Sequence, residues 1–249
     1  MTYCMAISVK AGLVFCSDSR TNAGVDQVST YSKMFRFDLG PERQFVVLTA
    51  GNLATSQATM AQLRRDLRQN ASLSLNTVTT IGEAADYLGE VSRAQQEKHA
   101  GQAFQASFLL GGQIKGSDHR IVLIYPEGNH ITSSKDTPYL QIGESKYGKP
   151  ILDRILNPDT SLETAALCAL VSMDATMRSN LTVGPPIEVL IYPANSFDTN
   201  RYFRFDADSE YLRELKKSWD ARLREAFNLL PQLSWSQAEA HPPPAEESL

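Results

Sequence analysis

Cysteine is scarce in this chain: Cys4, Cys16 and Cys168 are the only three in 249 residues. They form no CxxC pair and leave an odd thiol under any pairing, so a disulfide framework is excluded and buried free thiols in a reducing cytoplasm are expected. Long apolar runs are missing as well. None approaches the ~20 residues that span a bilayer, and no membrane partner is expected. His99, His119, His130 and His241 are scattered without metal-ligand spacing, which argues against a zinc site; no metal or organic cofactor is expected. Charge of one sign is also lacking, with 24 basic residues against 28 acidic ones and a formal net charge of −4. Acids and bases are interspersed, so the basic face that a nucleic acid requires is not foreseen. The opening stretch MTYCMAISVKAGLVF has neither a basic n-region nor a small-residue cleavage site, and reads as a pair of strands, not a signal peptide.

What remains is an ordinary globular mix, 42% hydrophobic and 21% charged, in a chain long enough for one large core or two small ones. Residues 3–9 and 13–17 are apolar strands joined by the hairpin signal Lys10-Ala11-Gly12. Further strands are expected at Met34–Phe37, Gln44–Thr49, Ala103–Gly111, Arg120–Tyr125, Tyr139–Ile142, Ile187–Tyr192 and Arg201–Phe205. Leu53, Met60, Leu63 and Leu67 recur at helical spacing. Thr80-Ile81-Gly82-Glu83 is a capping-box pattern opening a second helix. A short helix is expected over 145–156. Another is expected after Thr160-Ser161-Leu162-Glu163, and a long one from about Asp208 to Leu230. The last carries Leu212, Leu215, Trp219, Leu223 and Phe227, positions for a core or a subunit contact. Strand blocks alternating with helix pairs predict an α+β fold of two stacked antiparallel sheets with helices outside. No linker divides the chain, so residues 2–235 are expected as one domain, followed by a loose polar tail over 236–249.

The chemistry is concentrated at the start. Removal of Met1 would expose Thr2 with a hydroxyl and a primary amine on one residue. An α-amine with a reference pKa of about 7.7–8.0 can take the hydroxyl proton, directly or through a water. Asp18 lies sixteen positions beyond Thr2, at the end of the second strand, where a hairpin brings it back beside the first residue. Lys33 follows in Ser32-Lys33-Met34-Phe35. A lysine ammonium under the nucleophile would lower the amine and hydroxyl pKa values, with Asp18 holding it in place. Gly51, in Leu48-Thr49-Ala50-Gly51-Asn52, lets backbone amide approach a substrate carbonyl as an oxyanion hole requires. On spacing alone, an ordinary ion pair and a turn glycine remain alternatives.

Taken together, AGLVFCSDSRTNAGVD, SKMF and LTAGNLAT resemble the proteasome-type branch of the N-terminal nucleophile hydrolases, and within it the bacterial Anbu (ancestral β subunit) proteins. The resemblance covers roughly residues 2–230. It implies a four-layer αββα sandwich and a threonine-type peptidase. Thr2 takes the place of the nucleophile, Asp18 of the lysine-orienting acid, Lys33 of the pKa-lowering base and Gly51 of the oxyanion donor. Thr21, Asn22 and Thr49 fall where the family lines its substrate cleft, suited to an extended peptide or unfolded protein added as a strand. Self-association into a large homo-oligomer, a ring or an open helical ring, is implied as well.

Two motifs depart from the pattern. Gly143-Glu144-Ser145 stands where proteasome β subunits carry Gly-Ser-Gly. Ser179-Asn180-Leu181-Thr182-Val183-Gly184 stands where they carry Asp-x-x-Ser-Gly. Glu144 and Ser179 are therefore candidates to replace the residues that support the amine, although Glu144 also reads as a helix N-terminal acid. A small-molecule amidase and an assembly subunit that has lost efficient turnover stay open beside the peptidase.

Overall fold

Strands that read as unbroken apolar runs are those covered on both faces, and the arrangement of this chain follows from that. The fold is taken from a computed structural model that describes residues 1–22, 28–98 and 104–232. In chain order the elements begin with β1 (Tyr3–Val9), β2 (Gly12–Asp18), β3 (Arg20–Asn22), β4 (Val28–Thr30), β5 (Met34–Asp38) and β6 (Arg43–Gly51). Helices α1 (Leu53–Arg68) and α2 (Ile81–Gln96) come next, then β7 (Ala106–Ile114), β8 (Arg120–Ile124), β9 (His130–Thr132) and β10 (Tyr139–Gly143). The series ends with α3 (Lys149–Ile155), α4 (Leu162–Ser179), β11 (Ile187–Pro193), β12 (Tyr202–Phe205) and α5 (Glu210–Asn228).

Two five-stranded sheets result, ordered β10-β1-β2-β11-β12 and β5-β6-β7-β8-β9, with β3-β4 as a small separate ribbon. All their pairings are antiparallel. Alternation along each strand divides the apolar side chains between two cores. Val46 and Leu48 of β6 and Leu109 of β7 meet Cys4, Ala6, Leu13 and Phe15 of the other sheet. Their neighbours Phe45, Val47, Phe108 and Leu110 turn the opposite way, onto Met60 and Leu63 of α1 and Ala84, Ala85 and Leu88 of α2. On the outer face of the first sheet, Tyr3 reaches Ser172 of α4 through a 2.7 Å hydroxyl contact. The layers are therefore helices, sheet, sheet, helices, as the sequence predicts. Burying one such Leu or Phe side chain contributes about 1.5–3 kcal/mol.

Several boundaries shift for local reasons. The short helix opens at Lys149 and not at 145, with Pro150 in its first turn, where a missing N–H costs nothing. Glu144 is thus not a residue of its first turn. Thr80 caps α2 by accepting from Glu83 N at 3.0 Å, and the Glu83 carboxylate returns chiefly to Thr79, accepting from its N at 2.7 Å. The cap of α4 is Ser161, which accepts from Thr164 N at 3.2 Å. The described residues fall into two units, one over Met1–Ser209 and one that opens at Glu210. Taken by itself, α5 contains no buried residue, and Leu223 and Phe227 are exposed. Its apolar stripe therefore supplies no core. The tail over 236–249, His99 and His241 lie outside the described residues. Among the described residues no helix is long and apolar enough to cross a membrane.

Candidate active site

The β1–β2 hairpin pairs Cys4 with Ser17, so Asp18 arrives opposite the first residue of β1. Tyr3 N donates to Asp18 Oδ1 at 3.0 Å, and Gly184 N donates to Oδ2 at 3.2 Å. Lys33, just before β5, crosses from the second sheet and places Nζ 2.6 Å from Asp18 Oδ1. The same ammonium donates to the Arg20 carbonyl at 2.6 Å. Its own carbonyl accepts from Thr49 N at 3.0 Å, which fixes the segment against β6. The pair is sealed: the side chains are 6% and 0% exposed for Lys33 and Asp18.

Burial pushes the Asp18 carboxyl above the usual carboxylate range, and the Lys33 ammonium with the Tyr3 and Gly184 N–H groups pulls it back. Desolvating each ion costs several kcal/mol, and well-packed apolar residues of similar size often serve stability as well or better. Stability alone does not account for a charge pair here.

Above the pair lies a cavity of about 290 Å³ lined by Thr2, Thr21, Lys33, Thr49, Gly51 and Gly143, with Ala50, Leu53, Ser56 and Met1 completing the wall. Five of the residues singled out in the sequence thus share one cavity, with Asp18 beneath it. The volume is at the low end of the roughly 300–1,000 Å³ of ligand sites and suits one side chain of a longer substrate. Gly51 adopts φ +104°, and a Cβ there would stand 2.5 Å from the Gln105 carbonyl oxygen. Only glycine fits that turn. The Met1 amine, one residue ahead of the position a Thr2 amine would take, has its pKa lowered by burial and by Lys33, with Asp18 opposing.

Not every expected residue gathers here. Asn22 lies in β3, paired with Val28, and its side chain is outside the described residues. Ser179 is exposed at the last position of α4 and is not among the described lining residues. Its neighbour Asn180 instead donates from Nδ2 to Glu144 Oε2 at 3.2 Å. Glu144 N donates to the Thr2 carbonyl at 2.7 Å, so the turn after β10 grips the start of the chain. Gly143, unforeseen as a site residue, has φ +83°, and any Cβ would strike the Thr2 carbonyl oxygen. Among the described residues no group of three or more His, Cys, Asp or Glu side chains is placed to hold a metal ion.

The family model for proteasome subunits matches residues 2–192. The chain belongs to the proteasome family. Anbu (ancestral β subunit) from Yersinia bercovieri is similar at 48% identity, with 94% of this chain and 99% of that one covered and a TM-score of 0.90. Anbu from Hyphomicrobium sp. strain MC1 is similar at 43% identity, covering 94% and 100%, with a TM-score of 0.88. A structure described as the helical assembly of the Anbu complex from Pseudomonas aeruginosa is similar at 44% identity, covering 94% and 98%, with a TM-score of 0.88. No curated protein matches. The fold is the proteasome-like N-terminal nucleophile sandwich, and the resemblance to Anbu proteins extends over most of the chain.

Proposed function

We propose that the chain is a threonine-type peptidase that works through Thr2 once Met1 is gone. One observation carries this reading: Thr2 lines the same cavity as Gly51 and as a lysine locked to a buried aspartate. In the first step Thr2 Oγ bonds to the substrate carbonyl carbon while its proton passes to the Thr2 amine, directly or through a water. Lys33 favours the neutral amine and stabilises developing negative charge on Oγ. The Gly51 N–H donates to the carbonyl oxygen as it becomes an oxyanion. The C–N bond then breaks, the proton goes to the leaving amine, and an ester to Thr2 remains. Water cleaves that ester, releasing the acid and restoring the hydroxyl.

Glu144 supports the mature terminus by holding the Thr2 carbonyl, and Asn180 holds Glu144. A peptide adding as an extended strand would run past Thr21, Asn22 and Thr49, with one side chain in the cavity. The helical assembly of the Pseudomonas aeruginosa relative supports a large homo-oligomer here too, and the exposed stripe of α5 is available to it. A monomer-sized species at micromolar concentration in light scattering would contradict that part.

Labelling tests the chemistry. A β-lactone should add its mass to a chain that begins at Thr2, and the Thr2→Ala protein should stay unmodified. Equal labelling of both proteins, or none of either, would overturn the peptidase reading.

A further inference from the structure

Glu188 is a buried carboxyl that the reaction described above does not use. It lies on β11, 5% exposed, in register with Ser17 of β2. Three hydroxyls meet its two oxygens. Ser19 Oγ donates to Oε2 at 3.1 Å, while Ser32 Oγ at 3.0 Å and Tyr202 Oη at 2.5 Å donate to Oε1. Two positions further along the same face of β11, Leu190 joins the core between the sheets. An apolar residue at 188 would continue that face without the several kcal/mol that desolvating a carboxylate costs. A satisfied but expensive acid in such a place calls for a reason.

Its donors supply one. Ser19 sits between Asp18 and Arg20, the two residues whose oxygens receive the Lys33 ammonium. Ser32 directly precedes Lys33. Asp18 ends a strand of one sheet and Lys33 enters the other, so their ion pair spans the gap between sheets. The Glu188 side chain spans that gap one residue away from each of them. Tyr31 N adds a backbone bond to the Ser19 carbonyl at 2.9 Å, which closes the frame. The third donor extends it along β5: the Arg36 guanidinium lies 4.6 Å over the Tyr202 ring.

We propose that Glu188 is a positioning residue, whose grip on Ser19 and Ser32 sets where the Lys33 ammonium stands beneath Thr2. Its consequence for rate rests on the peptidase reading, whereas the placement itself is measurable without turnover. A carboxylate can accept from both serines at once. Glu188→Gln keeps the shape but offers one acceptor oxygen, so a serine must reorient or lose its partner. Ser32→Ala removes the hydroxyl's contacts with Glu188 and with the Met34 backbone and leaves the acid in place. Ser32→Thr keeps the hydroxyl.

The test compares the Thr2-initiated wild-type protein with these three variants by two measurements. The first is proton exchange at the Lys33 ammonium, followed by nitrogen-detected NMR. The second is β-lactone acylation, resolved into the saturating rate and the half-saturating concentration. Glu188→Gln and Ser32→Ala should each speed Lys33 exchange by about ten-fold, because hydrogen exchange reports local opening. Their saturating acylation rate should fall by about ten-fold or more with half-saturation unchanged, as expected when a reacting group is displaced without loss of binding. Ser32→Thr should stay near wild type in both.

Lys33 exchange unchanged in Glu188→Gln and Ser32→Ala would overturn the proposal. A Ser32→Thr protein as impaired as Ser32→Ala would overturn it too, since the hydroxyl would then not be the operative group. Should Glu188→Gln fail to fold, the two Ser32 variants decide. A wild-type protein that takes no label would sink the peptidase reading, and Lys33 exchange would still decide the placement of the ammonium.

Discussion

The two ends of the sandwich bury polar groups in different ways. At the end where β6 begins, Gln113 accepts from Tyr192 Oη at 3.0 Å and Asn195 N at 2.8 Å, and donates to Ser117 O at 2.9 Å and Asn195 Oδ1 at 2.8 Å. Gln44 beside it donates to Asp38 at 2.7 Å and to the Phe197 carbonyl at 3.1 Å. Where β6 ends, the sheets close instead over Asp18 and Lys33 at 2.6 Å, with Glu188 alongside. Neutral amides tie the two sheets together there without a buried ion, although Gln44 Oε1 is buried without a hydrogen-bond partner among the described residues, so the first end shows that this fold does not require buried charge to close. On the proposed function, the charge at the second end serves the chemistry above it, at Thr2.

The largest expected effect separates the nucleophile from everything else. Thr2→Ala should lower β-lactone labelling by at least about a thousand-fold while leaving the unfolding transition close to wild type. Next comes Lys33→Ala, which strands a buried aspartate. Unfolding in denaturant should show a loss of about 3–5 kcal/mol, and labelling should fall as well. The double variant Asp18→Asn/Lys33→Met sharpens the contrast, because it removes both charges while keeping an acceptor beside Tyr3 N and Gly184 N, and it should recover part of that stability and none of the labelling. If it recovered labelling, the pair would be merely structural and both ends of the sandwich would be alike. At the amide end, Gln113→Leu leaves Asn195 and Tyr192 without their partner. It should cost about 1–3 kcal/mol with the labelling rate unchanged.

The smallest effect is in pH. Burial first and Lys33 second lower the pKa of the Met1 amine, against a smaller opposing pull from Asp18, and the same direction is expected of a Thr2 amine once Met1 is removed. Only the neutral amine acts as a base, so labelling should rise with pH and reach half its maximum below the ordinary α-amine value of about 7.7–8.0. Weakening the lysine's contribution should move that midpoint upward. A midpoint above 8.0 in the wild-type protein would show that a carboxylate, Glu144 or Asp18, governs the amine instead.

Much of this was legible from residue order because it is local. The first hairpin, its Lys10-Ala11-Gly12 turn and the return of Asp18 beside Tyr3 depend on a separation of fifteen positions and the period of a strand. The helix start at Lys149 was not: Pro150 sits in the first turn, where its ring is favoured, and Ser145-Lys146-Tyr147-Gly148 lie ahead of the helix. Asn180, and not Ser179, reaches Glu144 since the chain leaves α4 at that residue with extended backbone. Gly143 and Glu188 escaped for a different reason. What matters about them is contact with residues far away in the chain, Thr2 in one case and Ser19 and Ser32 in the other. No short motif encodes such meetings. The α5 stripe had the spacing of a buried face but is not buried, since periodicity reports an apolar side without saying what covers it.

An epoxyketone tests the central claim most directly, because a complete adduct needs both groups of the proposed nucleophile. The hydroxyl adds to the ketone and the amine opens the epoxide, giving two-point attachment to one residue. Mass spectrometry of the N-terminal peptide should show that double linkage on Thr2, in a chain without Met1. A protein that keeps Met1 and carries no adduct would contradict the account.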